Sequence, residues 1–246
     1  MTSEHTVSAF DHELNELAVR IAQMGGLAEK ILTDAVHAFD RRDEDLAHAV
    51  IDGDVRIDEL EAEVEEQAVL LIARRQPMAS DLREVMAAIR IAADLERIGD
   101  LAKNVAKRSL AIHTEAWPHK GVPGLDHMAR MALEQLKDVL DAYTRRDIDR
   151  AVDVWHRDTE LDAIYTSIFR EMLTYMMEDP RNITFSTHLL FAAKNIERIG
   201  DHSTNIAETI HYLISGRPLR GPRPKSDQSS LTSVELGDKP SNIGRD

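Results

Sequence analysis

The chain carries Asp-Leu-Glu-Arg-Ile-Gly-Asp at residues 94–100 and, 101 positions later, Asn-Ile-Glu-Arg-Ile-Gly-Asp at residues 195–201. A second pair of matching stretches lies upstream, where Arg-Arg-Asp at 41–43 returns at 145–147. Matching stretches in the same order indicate an internal repeat, in which each copy folds into the same unit.

The segments around these stretches show helical spacing of apolar residues, and prolines separate them. The pattern predicts six long helices, near residues 5–40, 43–75, 79–112, 124–145, 147–178 and 183–214. Asp43 and Asp147 stand where the second and fifth helices begin and are candidate N-caps. The fold class is therefore all-α, with two pseudo-symmetric three-helix bundles.

The same helix-breaking residues indicate the domain organisation. We expect a first three-helix repeat at 5–112, a linker at 113–124 that holds two prolines, and a second repeat at 125–215. Residues 216–246 are rich in Gly, Ser and Pro, so we expect a disordered tail.

Composition excludes several classes of protein. The 246 residues include no cysteine, which rules out disulfides and thiolate metal sites and fits a reducing, cytoplasmic location. A formal net charge of −14 repels nucleic acid phosphates, so we expect no nucleic-acid partner. No apolar run approaches the roughly 18 to 20 residues that cross a bilayer, so membrane association is expected only through partners.

Acidic residues recur in pairs, four positions apart, on two helices of each repeat. A four-residue step brings both side chains to one helix face. One step beyond the third-helix pair of each repeat, an asparagine adds a neutral oxygen. The candidate site residues are Asp54, Asp58, Glu96, Asp100 and Asn104 in the first repeat, and Asp158, Asp162, Glu197, Asp201 and Asn205 in the second.

Counting residues outward from each turn predicts that the acids of neighbouring helices lie at the same height along the bundle. Asp54 and Asp100 are each 23 residues from Pro77, and the second repeat has the same symmetry about the Asp179–Pro180 step. On the third and sixth helices the apolar stripe is centred opposite the acids, which predicts that the acids lie on an outer flank.

Two readings of these acids remain open. The first is a solvated acidic face, the usual meaning of helix carboxylates. The second is a cation site, because like charges four residues apart repel and an all-oxygen set suits metals such as Fe, Mn, Mg or Zn. Within the repeated motif, Gly99 and Gly200 predict close packing of a neighbouring backbone, since mid-helix glycine costs about 0.5–1 kcal/mol against alanine.

We expect no enzymatic activity. The sequence has no P-loop, dinucleotide fingerprint or nucleophile elbow. A ferritin-like di-iron centre needs Glu-x-x-His on two helices, and only Glu208 with His211 matches.

The stretch Arg-Gln-Pro-Met-Ala-Ser-Asp-Leu-Arg at residues 75–83, together with the two Glu-Arg-Ile-Gly-Asp motifs, resembles the PhoU family of phosphate-transport accessory regulators. The resemblance covers about residues 5–215. It implies two three-helix bundles that form a homodimer at the cytoplasmic side of the phosphate ABC transporter. It also implies metal clusters, in some members, at the positions of the acids named above.

The resemblance further implies two partners, the transporter's ATPase subunit and the phosphate-sensing histidine kinase. Our leading hypothesis is a regulatory adaptor that damps phosphate uptake and represses phosphate-starvation signalling. The alternative is a metal-storage or metal-oxidising helical protein that uses the carboxylate clusters.

Overall fold

The computed structural model describes residues 2–112, 123–219 and 221. Within those ranges the chain is helical and contains no strand, which confirms the all-α prediction. The helices are α1 (Thr2–Arg41), α2 (Glu44–Gly53), α3 (Val55–Arg75), α4 (Ser80–Ile112), α5 (Pro123–Arg145), α6 (Ile148–Glu178) and α7 (Ile183–Ser215), with a 3-10 turn at Pro180–Asn182 before α7.

The second predicted helix is divided at Asp54, a break that the sequence analysis did not predict. Its backbone stays close to helical, with φ −63° and ψ −33°. The carbonyl of Asp54 accepts the Ile57 N–H at 2.8 Å, which is the three-residue spacing of a 3-10 helix. The four-residue bond of an α-helix, from the Asp58 N–H to the same carbonyl, is longer at 3.4 Å. The prediction of one continuous helix over 43–75 is therefore wrong at this point, where α2 passes into α3.

The first and second helices of each bundle are joined by the same turn, built from the repeated Arg-Arg-Asp. Arg42 and Arg146 adopt left-handed backbone angles, with φ of 54° and 55°. The next N–H, of Asp43 or Asp147, bonds back to the carbonyl five residues earlier at 3.0 Å, as in a Schellman motif. Each aspartate then caps the following helix, since Asp43 Oδ1 accepts the Leu46 N–H and Asp147 Oδ1 accepts the Arg150 N–H. Both predicted N-caps are confirmed.

The bundles meet through their last helices. Helices α1 to α4 form the first bundle and α5 to α7 the second, while α4 packs along α7 and α1 packs along α5. Helices α4 and α7 run antiparallel, because Arg108 near the end of α4 lies over the Phe191 ring near the start of α7. The apolar residues of both bundles form one core, in which Leu95, Ile98 and Ile199 are fully buried.

Most of the predicted linker and tail lies outside the described residues, namely 113–122, 220 and 222–246. Pro123 and Gly124 belong to α5, where proline suits the first turn of a helix. Gly216 ends α7 in the left-handed conformation, with φ 68°. No helix in the described ranges is both long and apolar enough to cross a membrane.

Replacing Asp43 with alanine should remove the acceptor of the Leu46 N–H and lower the free energy of unfolding by about 1 kcal/mol. Asp43→Asn should stay within a few tenths of a kcal/mol of the wild type, because asparagine caps as well. Urea denaturation measures both. An alanine variant as stable as the wild type would contradict the capping role.

Candidate functional site

The prediction that the acids of neighbouring helices lie at the same height is correct in the first repeat. Asp54 on α2–α3 and Asp100 on α4 are joined by one ammonium group, that of Lys103. Lys103 Nζ donates to Asp54 Oδ2 in a very short contact and to Asp100 Oδ1 at 2.6 Å. We call Asp54, Asp58, Glu61, Glu96 and Asp100 the first acidic cluster.

The prediction that the acids lie on an outer flank is wrong for four of them. Asp54, Asp158 and Asp162 are each 1% exposed, and Glu197 is 3% exposed. The others are exposed or partly exposed, namely Asp58, Glu96, Asp100, Asn104, Asp201 and Asn205. The prediction assumed one buried stripe per helix. Glu197 is covered because α7 packs against α4, α5 and α6. Asp54 and Asp158 are covered because they face Gly99 of α4 and Gly200 of α7, and Asp162 lies one turn along α6 from Asp158.

Two glycines bring the facing helices close enough to bury these carboxylates. A Cβ on Gly99 would lie 2.8 Å from Asp54 Oδ1 and 3.0 Å from Ile57 Cδ1. A Cβ on Gly200 would lie 2.3 Å from Leu161 Cδ2 and 3.6 Å from Asp158 Oδ1. The close packing is therefore present, but the prediction of a neighbouring backbone is wrong, because the nearest atoms are side chains of the facing helix.

The electrostatics of the first cluster centre on Lys103. Burial raises the pKa of Asp54, and the charges of Asp58 and Asp100 act in the same direction, so the pKa stays raised although the Lys103 ammonium lowers it. At Asp100 burial acts in the same direction, but hydrogen bonding to Lys103 and the charges of Lys103 and Arg97 outweigh it and lower the pKa. Burial also disfavours the Lys103 ammonium, yet its bonds to Asp100 and Asp54 raise the Lys103 pKa well above its ordinary value.

Glu61 is a member of the cluster that sequence reasoning missed. Burial, the neighbouring Glu65 and the charges of Asp58 and Asp100 raise the pKa of Glu61. Burial likewise raises the pKa of Glu96, and Asp100, Glu61 and Asp58 act in the same direction. The sequence did contain a signal for Glu61, because it follows Asp58 by three residues and therefore lies on the same helix face.

We call Asp158, Asp162, Glu197 and Asp201 the second acidic cluster. Burial raises the pKa of Glu197 to about 6, and the charges of Asp201 and Asp162 act in the same direction. Glu197 Oε1 accepts from Lys194 Nζ at 2.9 Å, whereas Oε2 is buried without a hydrogen-bond partner. The Lys194 ammonium also lies 4.8 Å from the centre of the Tyr165 ring.

Gln135 on α5 also lies beside this cluster, and the sequence analysis did not identify it. The side chain is 2% exposed, and neither amide atom has a hydrogen-bond partner. Its Oε1 lies 3.1 Å from the position that a Cβ on Gly200 would occupy. The signal was a polar residue at the repeat position where the first bundle has the apolar Ile31.

The two asparagines differ in their surroundings. Asn104 is partly exposed, whereas Asn205 faces α4 across the contact between the bundles. Asn205 Nδ2 donates to Asp94 Oδ1 at 3.3 Å, and the same oxygen lies 2.8 Å from His202 Nδ1. The candidate metal ligand Asn205 thus contributes to the polar contact between α4 and α7.

The geometry does not form a metal centre. Across residues 2–112 and 123–219, no three or more His, Asp or Glu side chains are grouped so that they could hold a metal ion. In the first cluster the Lys103 ammonium lies between the two carboxylates that would have to approach the metal. Metal binding at the ten candidate residues stays a prediction.

Gly200→Ala should lower the free energy of unfolding by about 1–3 kcal/mol, because the new methyl group would overlap Leu161 and press on Gln135. Gly26→Ala on α1 is the matched control, since nothing lies within 4 Å of its Cβ position. That change should stabilise by about 0.5–1 kcal/mol through helix propensity. Denaturant titration measures both, and equal stabilisation would show that Gly200 is not tightly packed.

Glu197→Gln should raise the free energy of unfolding at pH 7 by up to about 2 kcal/mol. The pKa of about 6 in the folded protein lies above the ordinary 4.5, so the ionised group reduces stability at pH 7. As pH falls through 6 toward 4.5, the folded wild type binds the proton first, and the difference between the proteins should vanish. Denaturant titrations at pH 5 and 7 test this, with exposed Glu65→Gln as control. A variant less stable than the wild type at pH 7 would contradict it.

Comparison with known proteins gives concordant matches. The model of the PhoU domain matches residues 21–109 and 125–210. A Rhizobium meliloti protein named phosphate-specific transport system accessory protein PhoU homolog is 57% identical over 230 residues, which cover 94% of this chain and 97% of that protein. A Serratia marcescens protein named phosphate-specific transport system accessory protein PhoU is 40% identical over 221 residues, 89% of each chain.

The fold matches a solved structure equally well. The crystal structure of PhoU from Pseudomonas aeruginosa aligns with a TM-score of 0.82 at 39% identity, covering 85% of this chain and all of that one. The duplicated motif, the paired bundles and these matches agree, and the chain therefore belongs to the PhoU family.

Proposed function

We propose that this protein is a regulatory adaptor of phosphate-specific transport. In this role it damps uptake through the phosphate ABC transporter and represses phosphate-starvation genes through the phosphate-sensing histidine kinase. The observation that carries the proposal is the 57% identity to a relative named a phosphate-specific transport system accessory protein, over nearly the full length of both chains.

The surface of α3 supports a protein-binding role. Glu65 and Glu66 are exposed on this helix, and Val69 and Leu70 beside them are 61% and 41% exposed. A groove of about 320 Å³ between α1 and α3 is lined in part by Glu66 and Leu70. Acidic and apolar groups together suit a partner with a basic, partly apolar surface, and we assign this groove to the ATPase subunit.

The corresponding part of the second repeat lacks this combination. Phe169 and Arg170 on α6 stand at the positions of Glu65 and Glu66, and Thr174 stands at that of Leu70. The proposed contact therefore uses one repeat of the chain and not both. It reaches the membrane only through the transporter.

The alternative of metal storage or oxidation has no comparable support. The described residues contain no grouped metal ligands, and the buried carboxylates of the first cluster are held by a lysine. A homodimer accords with the resemblance, and light scattering of purified protein tests it.

Deleting the gene should raise transcription of phosphate-starvation genes in phosphate-rich medium, because the repressing adaptor is absent. Phosphate uptake, measured with labelled phosphate in the same cells, should rise as well. The wild-type gene supplied in trans should reverse both effects. Unchanged starvation transcription in the deletion strain would overturn the proposed function.

The surface assignment has its own test. Glu65→Lys/Glu66→Lys should abolish co-purification with the transporter's ATPase subunit, because one charge reverses in the groove and a second on the exposed surface of α3 beside it. Asp153→Lys/Glu160→Lys is a matched control, with the same charge change at two exposed acids of α6. Equal loss in both variants would contradict the assignment to α3.

A further inference from the structure

The first acidic cluster contains a cation of its own. Asp54 is 1% exposed, and a carboxylate so placed is stable only with a close positive partner or a proton. Lys103 supplies that partner. Its side chain is 20% exposed, and its ammonium contacts both Asp54 and Asp100, one on each of the two facing helices.

The position of Lys103 matters more than its charge alone. A divalent metal that joined the two helices would have to contact the carboxylates of Asp54 and Asp100 together. The Lys103 ammonium already contacts both, and the mutual bonds favour its charged form. A metal would have to displace it and leave a lysine beside a second cation.

The position of this lysine is specific to the first repeat. At the matching position of α7 stands Thr204, fully buried, whose hydroxyl donates to the Gly200 carbonyl at 3.0 Å. The lysine of the second cluster, Lys194, comes from a different position, where α4 has Ala93. The duplicated acidic motif is therefore completed differently in the two bundles.

We infer that Lys103 is the resident counter-ion of the first acidic cluster and occupies the place that a bridging divalent metal would take, so that this cluster folds without metal and excludes it. The inference concerns the side chains of one repeat and does not depend on the proposed role in phosphate signalling. It predicts that the metal capacity of the first cluster appears only when the lysine is removed.

The experiment measures Mn²⁺ binding and melting temperature on purified, EDTA-treated full-length protein. Asp100→Asn should leave the Mn²⁺ stoichiometry of the wild type unchanged, because the first cluster contributes no site. Lys103→Met, which keeps an apolar stem but no charge, should gain one Mn²⁺ per chain. Lys103→Met/Asp100→Asn should lose that gain.

The melting temperature gives a second readout. Without metal, Lys103→Met should melt roughly 5–10 °C below the wild type, because Asp54 loses its partner. Saturating Mn²⁺, at about one hundred times its Kd, should recover about 5–10 °C in this variant. Lys107→Met, at an exposed lysine one turn along α4, is the control and should show neither effect.

Two results would overturn the inference. One is a lower Mn²⁺ stoichiometry in Asp100→Asn than in the wild type, which would show that the first cluster binds metal beside its lysine. The other is a folded Lys103→Met protein that binds no additional Mn²⁺. If Lys103→Met does not fold, the Asp100→Asn comparison still decides the question.

Discussion

The close approach of α4 to α3, and of α7 to α6, is the constraint on which the rest of the structure depends. It occurs at Gly99 and Gly200, where any side chain would overlap atoms of the facing helix. A mid-helix glycine lowers helix stability because of its poor helix propensity, and here tight packing against the facing helix offsets that loss. The same approach buries the Asp54 and Asp158 carboxylates, so the electrostatics of both clusters follow from the spacing of the helices.

Buried carboxylates in a helical bundle need compensation, and this chain provides it unequally. In the first bundle one lysine joins carboxylates of two helices. In the second, Glu197 has a lysine partner at one oxygen only, and Gln135 contributes a buried amide without a hydrogen-bond partner. Polar groups of that kind lower the stability of a core. The two bundles therefore compensate their buried polar groups with different side chains, although the sequence motif is the same.

Much of the fold could be predicted because it depends on local signals. Prolines, capping aspartates and apolar periodicity determine helix boundaries within a few residues of their own positions. Because the unit is repeated, each of these signals occurs twice in the sequence. That Asp54 and Asp100 lie at the same height could also be predicted, because residues equally far from the turn at Pro77 face each other in an antiparallel helical hairpin. Burial was not accessible in this way. It depends on how many neighbours surround α4 and α7, and the periodicity of one helix does not contain that number.

The same limit explains the residues that were missed. Lys103 is three positions from Asp100, a spacing visible in the sequence, but its contact with Asp54 requires the helix separation that Gly99 permits. Gln135 departs from the apolar residue of the other repeat, yet only the packing of three helices shows that its amide is enclosed. The division of the second helix at Asp54 has a local signal that was overlooked, because it comes directly after Gly53, a poor helix former.

The polar contact between the bundles has a consequence for how the halves recognise one another. Asp94 of α4 meets His202 and Asn205 of α7, whereas the repeat counterpart of Asp94 is Asn195 and that of His202 is Leu101. If two α4 helices from separate chains packed in the same way, Asp94 would face Leu101 and Asn104, and its carboxylate would lose the histidine partner. A duplicated protein is at risk of pairing like with like. Two side chains that break the internal symmetry, Asp94 and His202, favour the heterologous pairing within one chain, much as a single buried asparagine selects the partner of a coiled coil.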